Sequence, residues 1–175
     1  MAEAATRAES VASDAVEVVE TTAPMARRLV IVLTKATLDE VYPAFILATT
    51  GAATGMEVDI YFTFWGMKLL DKRSHKKAKL SPLGNPAMGM PNILAMLPGA
   101  TALVTAMMKR KIKKYWPTIP EMMKEATELG VRMHACSPTM GLMGLTEQDL
   151  VEGVDICGAS AFLSWAADNA VTIFI

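Results

Sequence analysis

Arg28 to Thr34 reads RLVIVLT, an unbroken run of apolar, mostly β-branched residues with no polar alternation. A run of this kind is a strand covered on both faces, the condition of strands in parallel sheets. Leu38 to Thr54 follows with helical composition; Pro43 perturbs its early part and Gly55 closes it. Thr37 and Glu40 stand before it at capping-box spacing. Glu57 to Phe64 (EVDIYFTF) is a second, heavily apolar strand. Strand, helix and strand joined by short connections make a βαβ unit, and such a unit commits the chain to a parallel pair.

The rest of the chain repeats the alternation. Gly66 to Lys79 is polar and basic and reads as a short helix and a loop, and the Pro/Gly/Met-rich stretch 81–99 reads as irregular. Thr101 to Trp116 is a helix with an apolar start and a basic end, although Ala102 to Thr105 also has strand character, and Pro117 stops it. Thr118, with Pro120 and Glu121 behind it, caps a helix from Ile119 to Leu129. Val131 to Cys136 (VRMHAC) is a third strand, Thr146 and Asp149 repeat the cap spacing, Gly158 to Asn169 is helical, and Val171 to Ile175 (VTIFI) is a final strand. The expectation is one α/β domain over residues 27–175, a mostly parallel sheet with helices on both faces. In such sheets the functional crevice lies outside the carboxyl ends of the strands. Those ends are Thr34-Lys35, Phe64-Trp65-Gly66 and Cys136-Ser137.

Charge divides the chain unevenly. Residues 1–26 hold Arg7 against Glu3, Glu9, Asp14, Glu17 and Glu20, a net of −4; with −1 for the whole chain, the remainder carries +3. This first segment reads as a flexible acidic extension. A net charge near zero does not suggest nucleic-acid binding. With no basic stretch leading into an apolar one near the start, and only two cysteines, the expected compartment is a reducing cytoplasm. Leu80 to Met108 holds no charged residue, which raises the question of a membrane span. Pro82, Pro86, Pro91 and Pro98, with Gly84, Gly89 and Gly99, break it, so a buried or interfacial segment is favoured, and Lys109-Arg110-Lys111 behind it keeps a membrane contact open.

The candidate site centres on Cys136, at a strand end followed by Ser137-Pro138-Thr139. If that loop turns into a helix, its N–H groups stabilise a thiolate, the nucleophile that takes up sulfane sulfur. The alternative is a small hydrophobe closing a strand. Cys157, 21 residues on (157 − 136), has three open readings: a resolving thiol, a relay position, or buried filler. His134 shares a strand face with Cys136 and could polarise it or could be a core histidine; His75 lies in a basic loop and reads as solvated. The cysteines and histidines do not have the spacing of a zinc site. The basic residues around Lys68–Lys79 and Lys109–Lys114 form a solvated face or a docking surface for an acidic partner or anionic lipid. The ten methionines from Met88 to Met143 read as packing or oligomer contacts rather than a copper(I) thioether site. No GxGxxG, GxxxxGK[ST] or Ser/His/Asp elbow motif occurs, so no nucleotide site or hydrolase is indicated.

Three segments carry a resemblance: LVIVLTKATLDEVYPAFILATTGAATGMEVDIYFTFWG, PNILAMLPGATALVTAMMKRKIKK and ELGVRMHACSPTMGLMGLTEQDLVEGVDICGASAFLSWA. Together, FTFWG and C-x-x-[ST]-M-x-x-M-G resemble the DsrE-like (DsrE/F/H-related) sulfur-relay family, in its larger Met-rich branch, over residues 27–175. The resemblance implies a three-layer α/β sandwich, commonly a homo-oligomer, with 80–116 as a Met-rich insertion that carries membrane segments in some relatives. It implies that Cys136 receives and passes on sulfur as a persulfide or thiosulfonate, with a TusA-like sulfur carrier and a rhodanese-like donor as partners and no metal or organic cofactor. Many relatives have a small residue such as glycine at the place of Cys157, so the resemblance implies no general role there. Two rivals stay open: a non-catalytic oligomeric or membrane-peripheral interaction protein, and a thiol redox protein using Cys136 and Cys157 as a pair.

Overall fold

In the computed structural model, which describes residues 27–81 and 99–175, the βαβ expectation is met from the first element. β1 (Arg28–Leu33), α1 (Leu38–Ala53) and β2 (Glu57–Phe62) form a unit in which β1 pairs with β2 in parallel, Leu29 opposite Val58 and Leu33 opposite Phe62. Residues Val30 to Leu33 of β1 are buried on both faces, which is why that run shows no polar alternation. The acidic extension 1–26 and the segment 82–98, with Met88, Met90 and Met96, lie outside the described residues.

A 3₁₀ helix (Phe64–Leu69) follows β2; then come α2 (Ala100–Ile112), α3 (Ile119–Glu128), β3 (Arg132–Cys136), α4 (Ser137–Met143), a 3₁₀ turn (Glu147–Asp149), β4 (Val154–Cys157), α5 (Ala159–Ala166) and β5 (Ala170–Phe174). All five strands are parallel, in the order β4-β3-β2-β1-β5. The strands step one way from β1 to β4 and then return past β1 to β5. Right-handed crossovers therefore put α1 and α3 on one face and α5 on the other. Packing agrees with this. Val41, Phe45, Met122 and Met123 join Leu29, Ile31, Leu33, Ile60 and Phe62 in the main core, while Phe162 of α5 packs against Val32, Tyr61 and Cys136 on the opposite face. The molecule has the three layers expected.

Local signals set the element ends. At α3, Thr118 Oγ1 donates to the Glu121 carboxylate at 2.7 Å and the Thr118 N–H reaches the same oxygen, completing the capping box. The Thr146–Asp149 pair repeats it. Met122, Met123, Met133 and Met140 are buried, so these methionines are packing residues.

Three details differ from the sequence expectation. The second strand ends at Phe62, because Thr63 N–H bonds the Leu33 carbonyl and Phe64 turns the chain with a φ of 46°. Both helical predictions at 101–116 and 158–169 are longer than α2 and α5. β4 was not anticipated at all: VDIC is four residues long and no position in it is fully buried, so it has no apolar signature. Among the described residues no helix is long and apolar enough to cross a membrane.

Candidate functional site

On the face opposite α1, strand alternation lines up Asp59 and Tyr61 of β2, His134 and Cys136 of β3, and Asp155 and Cys157 of β4. Tyr61 sits opposite His134, and Cys136 sits opposite Cys157. Both cysteines are free thiols. The two candidate residues, whose relation the sequence left open, are thus neighbours at the carboxyl ends of adjacent strands.

The floor around Cys136 is built by the segment after β2. Gly66 N–H bonds the Thr34 carbonyl at 3.0 Å, and a Cβ on Gly66 would stand 2.2 Å from the Leu33 carbonyl oxygen. Only glycine lets the 3₁₀ helix come down onto the end of β1, and this contact explains the glycine of FTFWG. It brings Thr63 to Thr139 of α4, hydroxyl to hydroxyl at 3.1 Å, while Phe64 N–H donates to Thr139 Oγ1 at 3.3 Å. Because Thr139 accepts from Phe64, its own proton is free for another acceptor. Phe64 and Trp65 stay exposed above this floor, and Lys68 lies over the Trp65 ring at 4.9 Å.

Two opposing effects act on the Cys136 thiol. Burial, the largest effect, pushes its pKa up; the Thr139, Tyr61 and Thr63 hydroxyls and the Thr139 N–H, which favour a thiolate, together pull it below the ordinary thiol value. Cys157 has no such donors. Burial first, then the charges of Cys136, Asp155 and Asp59, push its thiol up to about 11. The two thiols are therefore driven apart: Cys136 ionises more readily than an ordinary thiol, and Cys157 stays protonated at neutral pH. Tyr61 is pushed up by burial first and then by Cys136, so it remains a donor.

Of the two readings the sequence left for His134, polarising Cys136 or a core histidine, its burial and its Asp59 contact fit the second. Its Nε2 is 2.8 Å from Asp59 Oδ1, its ring lies 4.2 Å from Trp165, and its buried Nδ1 has no partner among the described residues. Asp59 is fully buried and takes two bonds from Arg132, at 2.8 and 2.9 Å. This cluster ties β2 to β3 beneath the site. His75 Nδ1 contacts the Lys72 carbonyl at 3.0 Å in a surface turn. Among the described residues no group of His, Cys, Asp and Glu side chains is placed to hold a metal ion. Sequence reasoning did not single out Tyr61, Thr63 or Thr139, although Thr63 and Thr139 lie within the two motifs quoted above.

Residues 25–174 match the family described as DsrE/DsrF/DrsH-like. The chain is 39% identical over 158 residues to the sulfur carrier protein DsrE2 of Allochromatium vinosum, covering 85% of this chain and 98% of that protein. It is 33% identical over 159 residues to the uncharacterized protein YrkE of Bacillus subtilis, covering 85% and 97% respectively. A solved structure of a protein of unknown function from Methanobacterium thermoautotrophicum overlays with a TM-score of 0.54 at 16% identity, over 85% of this chain and 98% of that one, a likeness of fold alone.

Proposed function

The chain belongs to the DsrE/DsrF/DrsH-like family, and on that premise we propose that it carries sulfane sulfur on Cys136 within a sulfur relay. The single observation that carries this reading is the donor set around one strand-end thiol: Thr139, Tyr61 and Thr63 favour a thiolate at Cys136 in spite of its burial. In the reaction, the Cys136 thiolate attacks the outer sulfur of a donor persulfide. The S–S bond of the donor breaks, the donor leaves as its thiolate, and Cys136 holds the sulfur as a persulfide. The same hydroxyls stand ready to donate to the new terminal sulfur. A partner thiolate then takes that terminal sulfur and Cys136 returns to its starting state. A thiosulfonate is the alternative cargo. No redox cofactor is needed, because each step exchanges one sulfur–sulfur bond for another.

The partners in this reading are a rhodanese-like donor and a TusA-like acceptor, in a reducing, cytoplasmic compartment. Exposed Phe64 and Trp65 form the apolar landing at the site, and Lys68 over the Trp65 ring favours an acidic partner surface. Ile156, Leu163 and Phe174 are exposed on β4, α5 and β5 and suit a homo-oligomer contact.

Intact-protein mass measurement after incubation with inorganic polysulfide or a thiosulfonate tests the reading. A gain of one sulfur atom on wild type that is absent from Cys136→Ser is the expected result. Absence of any adduct on folded wild type would move the protein to the interaction class, where Cys136 is only a packing residue.

A further inference from the structure

Building on the carrier reading of Cys136, we infer that Cys157 is its resolving thiol: it discharges cargo that no partner collects, releasing hydrosulfide and closing a Cys136–Cys157 disulfide. Register carries the argument. Cys136 and Cys157 are Cα partners on neighbouring parallel strands, which stand about 4.8 Å apart, within the range of about 4.4–6.8 Å that a disulfide spans. Partner residues of parallel strands project to the same side, and Cys157 packs with Cys136 in one cluster under Phe162. A filler role explains this placement poorly. Cys157 is only half-buried, and neither its neighbour Ile156 nor any other β4 residue is fully buried, so no tight core position has to be filled.

The step balances without an external oxidant. The sulfur of Cys157 attacks Cys136 Sγ, the inner sulfur of the persulfide. The bond from Sγ to the terminal sulfur breaks, and its electron pair leaves with the terminal sulfur, which takes up the Cys157 proton and departs as hydrosulfide. Two cysteine sulfurs are oxidised to the disulfide while one sulfane sulfur is reduced to sulfide. A dithiol, or two equivalents of a small thiol, then reopens the bridge by exchange. Partner and resolving thiol attack different atoms, the terminal sulfur and Sγ respectively. Because Cys157 is held as a thiol, its attack is slow, and a docked acceptor thiolate takes the sulfur first.

The experiment loads the full chain with inorganic polysulfide, removes the excess anaerobically, and follows sulfide release and non-reducing intact mass together. Wild type should release one hydrosulfide for each disulfide formed, and peptide mapping should place that disulfide at Cys136–Cys157. Loaded Cys157→Ser, and likewise Cys157→Ala, should hold sulfur roughly tenfold longer or more, since the internal attacking thiol is gone. Equal retention by wild type and both variants, with no bridge, would overturn the resolving role and leave sulfur carriage by Cys136 standing. Loading of no protein would remove both. Diamide treatment of unloaded wild type is the independent check: failure to close the bridge in the folded protein shows that the thiols do not meet, and the inference falls whatever the loading.

Discussion

Cys136 and Cys157 stand opposite each other at the ends of two parallel strands, yet their thiols are driven in opposite directions. The difference comes from what β2 and α4 bring to one sulfur and not to the other. Tyr61, Thr63 and Thr139 surround Cys136, whereas Cys157 meets burial and the negative charges of Cys136, Asp155 and Asp59.

Alkylation should therefore separate the two thiols by pH. A thiolate is the reacting species, so the rate rises with pH until the folded-state pKa is passed. Iodoacetamide at neutral pH is expected to label Cys136 first, and the remaining thiol of Cys136→Ser should show a rate midpoint well above the ordinary thiol range. Removing the Cys136 charge should bring that midpoint somewhat below about 11. Peptide mapping of labelled protein reads both. Preferential labelling of Cys157 at neutral pH would reverse the assignment of nucleophile and partner.

Thr139→Val removes a hydroxyl donor from a buried site while keeping shape. A hydrogen bond to a charged acceptor contributes about 1.5–3 kcal/mol, which corresponds to roughly one to two pH units at 1.36 kcal/mol each. The Cys136 thiol should rise by about that much, seen in thiolate ultraviolet absorbance against pH, and persulfide loading at neutral pH should slow accordingly. An unchanged titration would show that Thr139 only joins α4 to the β2 segment.

Gly66→Ala places a methyl against the Leu33 carbonyl oxygen, a backbone atom that cannot turn aside. Forced overpacking of this kind costs about 1–3 kcal/mol. Thermal unfolding should shift down, and because the 3₁₀ helix carries the chain that presents Thr63 and Phe64, Cys136 alkylation should slow in the protein that remains folded. A variant with wild-type stability and reactivity would show that the segment can lift off β1 freely.

Asp59→Asn tests the cluster under the site. Burial raises the Asp59 pKa most strongly, but the bonds from His134 and Arg132 outweigh it and hold the carboxyl below its usual range. A depressed carboxyl contributes stability that is present above the unfolded value, about 3.9, and is lost as pH falls through the lower folded value. The substitution should cost about 3 kcal/mol at neutral pH, the low end for breaking a buried pair, because the Arg132 side chain is 46% exposed and can rehydrate. Urea unfolding at neutral pH and at pH below the carboxylate range checks this; the gap between wild type and variant should narrow in acid.

Much of the architecture was legible in local pattern. The RLVIVL run announced a strand buried on both sides, the Thr118–Glu121 pair announced a helix start, and VRMHAC announced a strand that ends on Cys136. Each of these signals is carried by residues close together in the chain. β4 was not legible, since VDIC lies at a sheet edge where burial is partial and its hydrogen bonds come from β3, about twenty residues away.

The chain's own order of residues thus decided the class of fold, the parallel sheet and the strand end on which Cys136 stands, because periodicity, caps and β-branched runs act over a few residues. Tertiary structure decided the chemistry. Only the parallel pairing of β3 with β4 sets Cys157 beside Cys136, and only the descent of the 3₁₀ helix onto β1 brings Thr63 to Thr139 and the thiol. A thiol's pKa depends on the donors and charges within a few ångströms of sulfur, and those groups come from β2, α4 and β4, segments that meet nowhere but in the folded molecule.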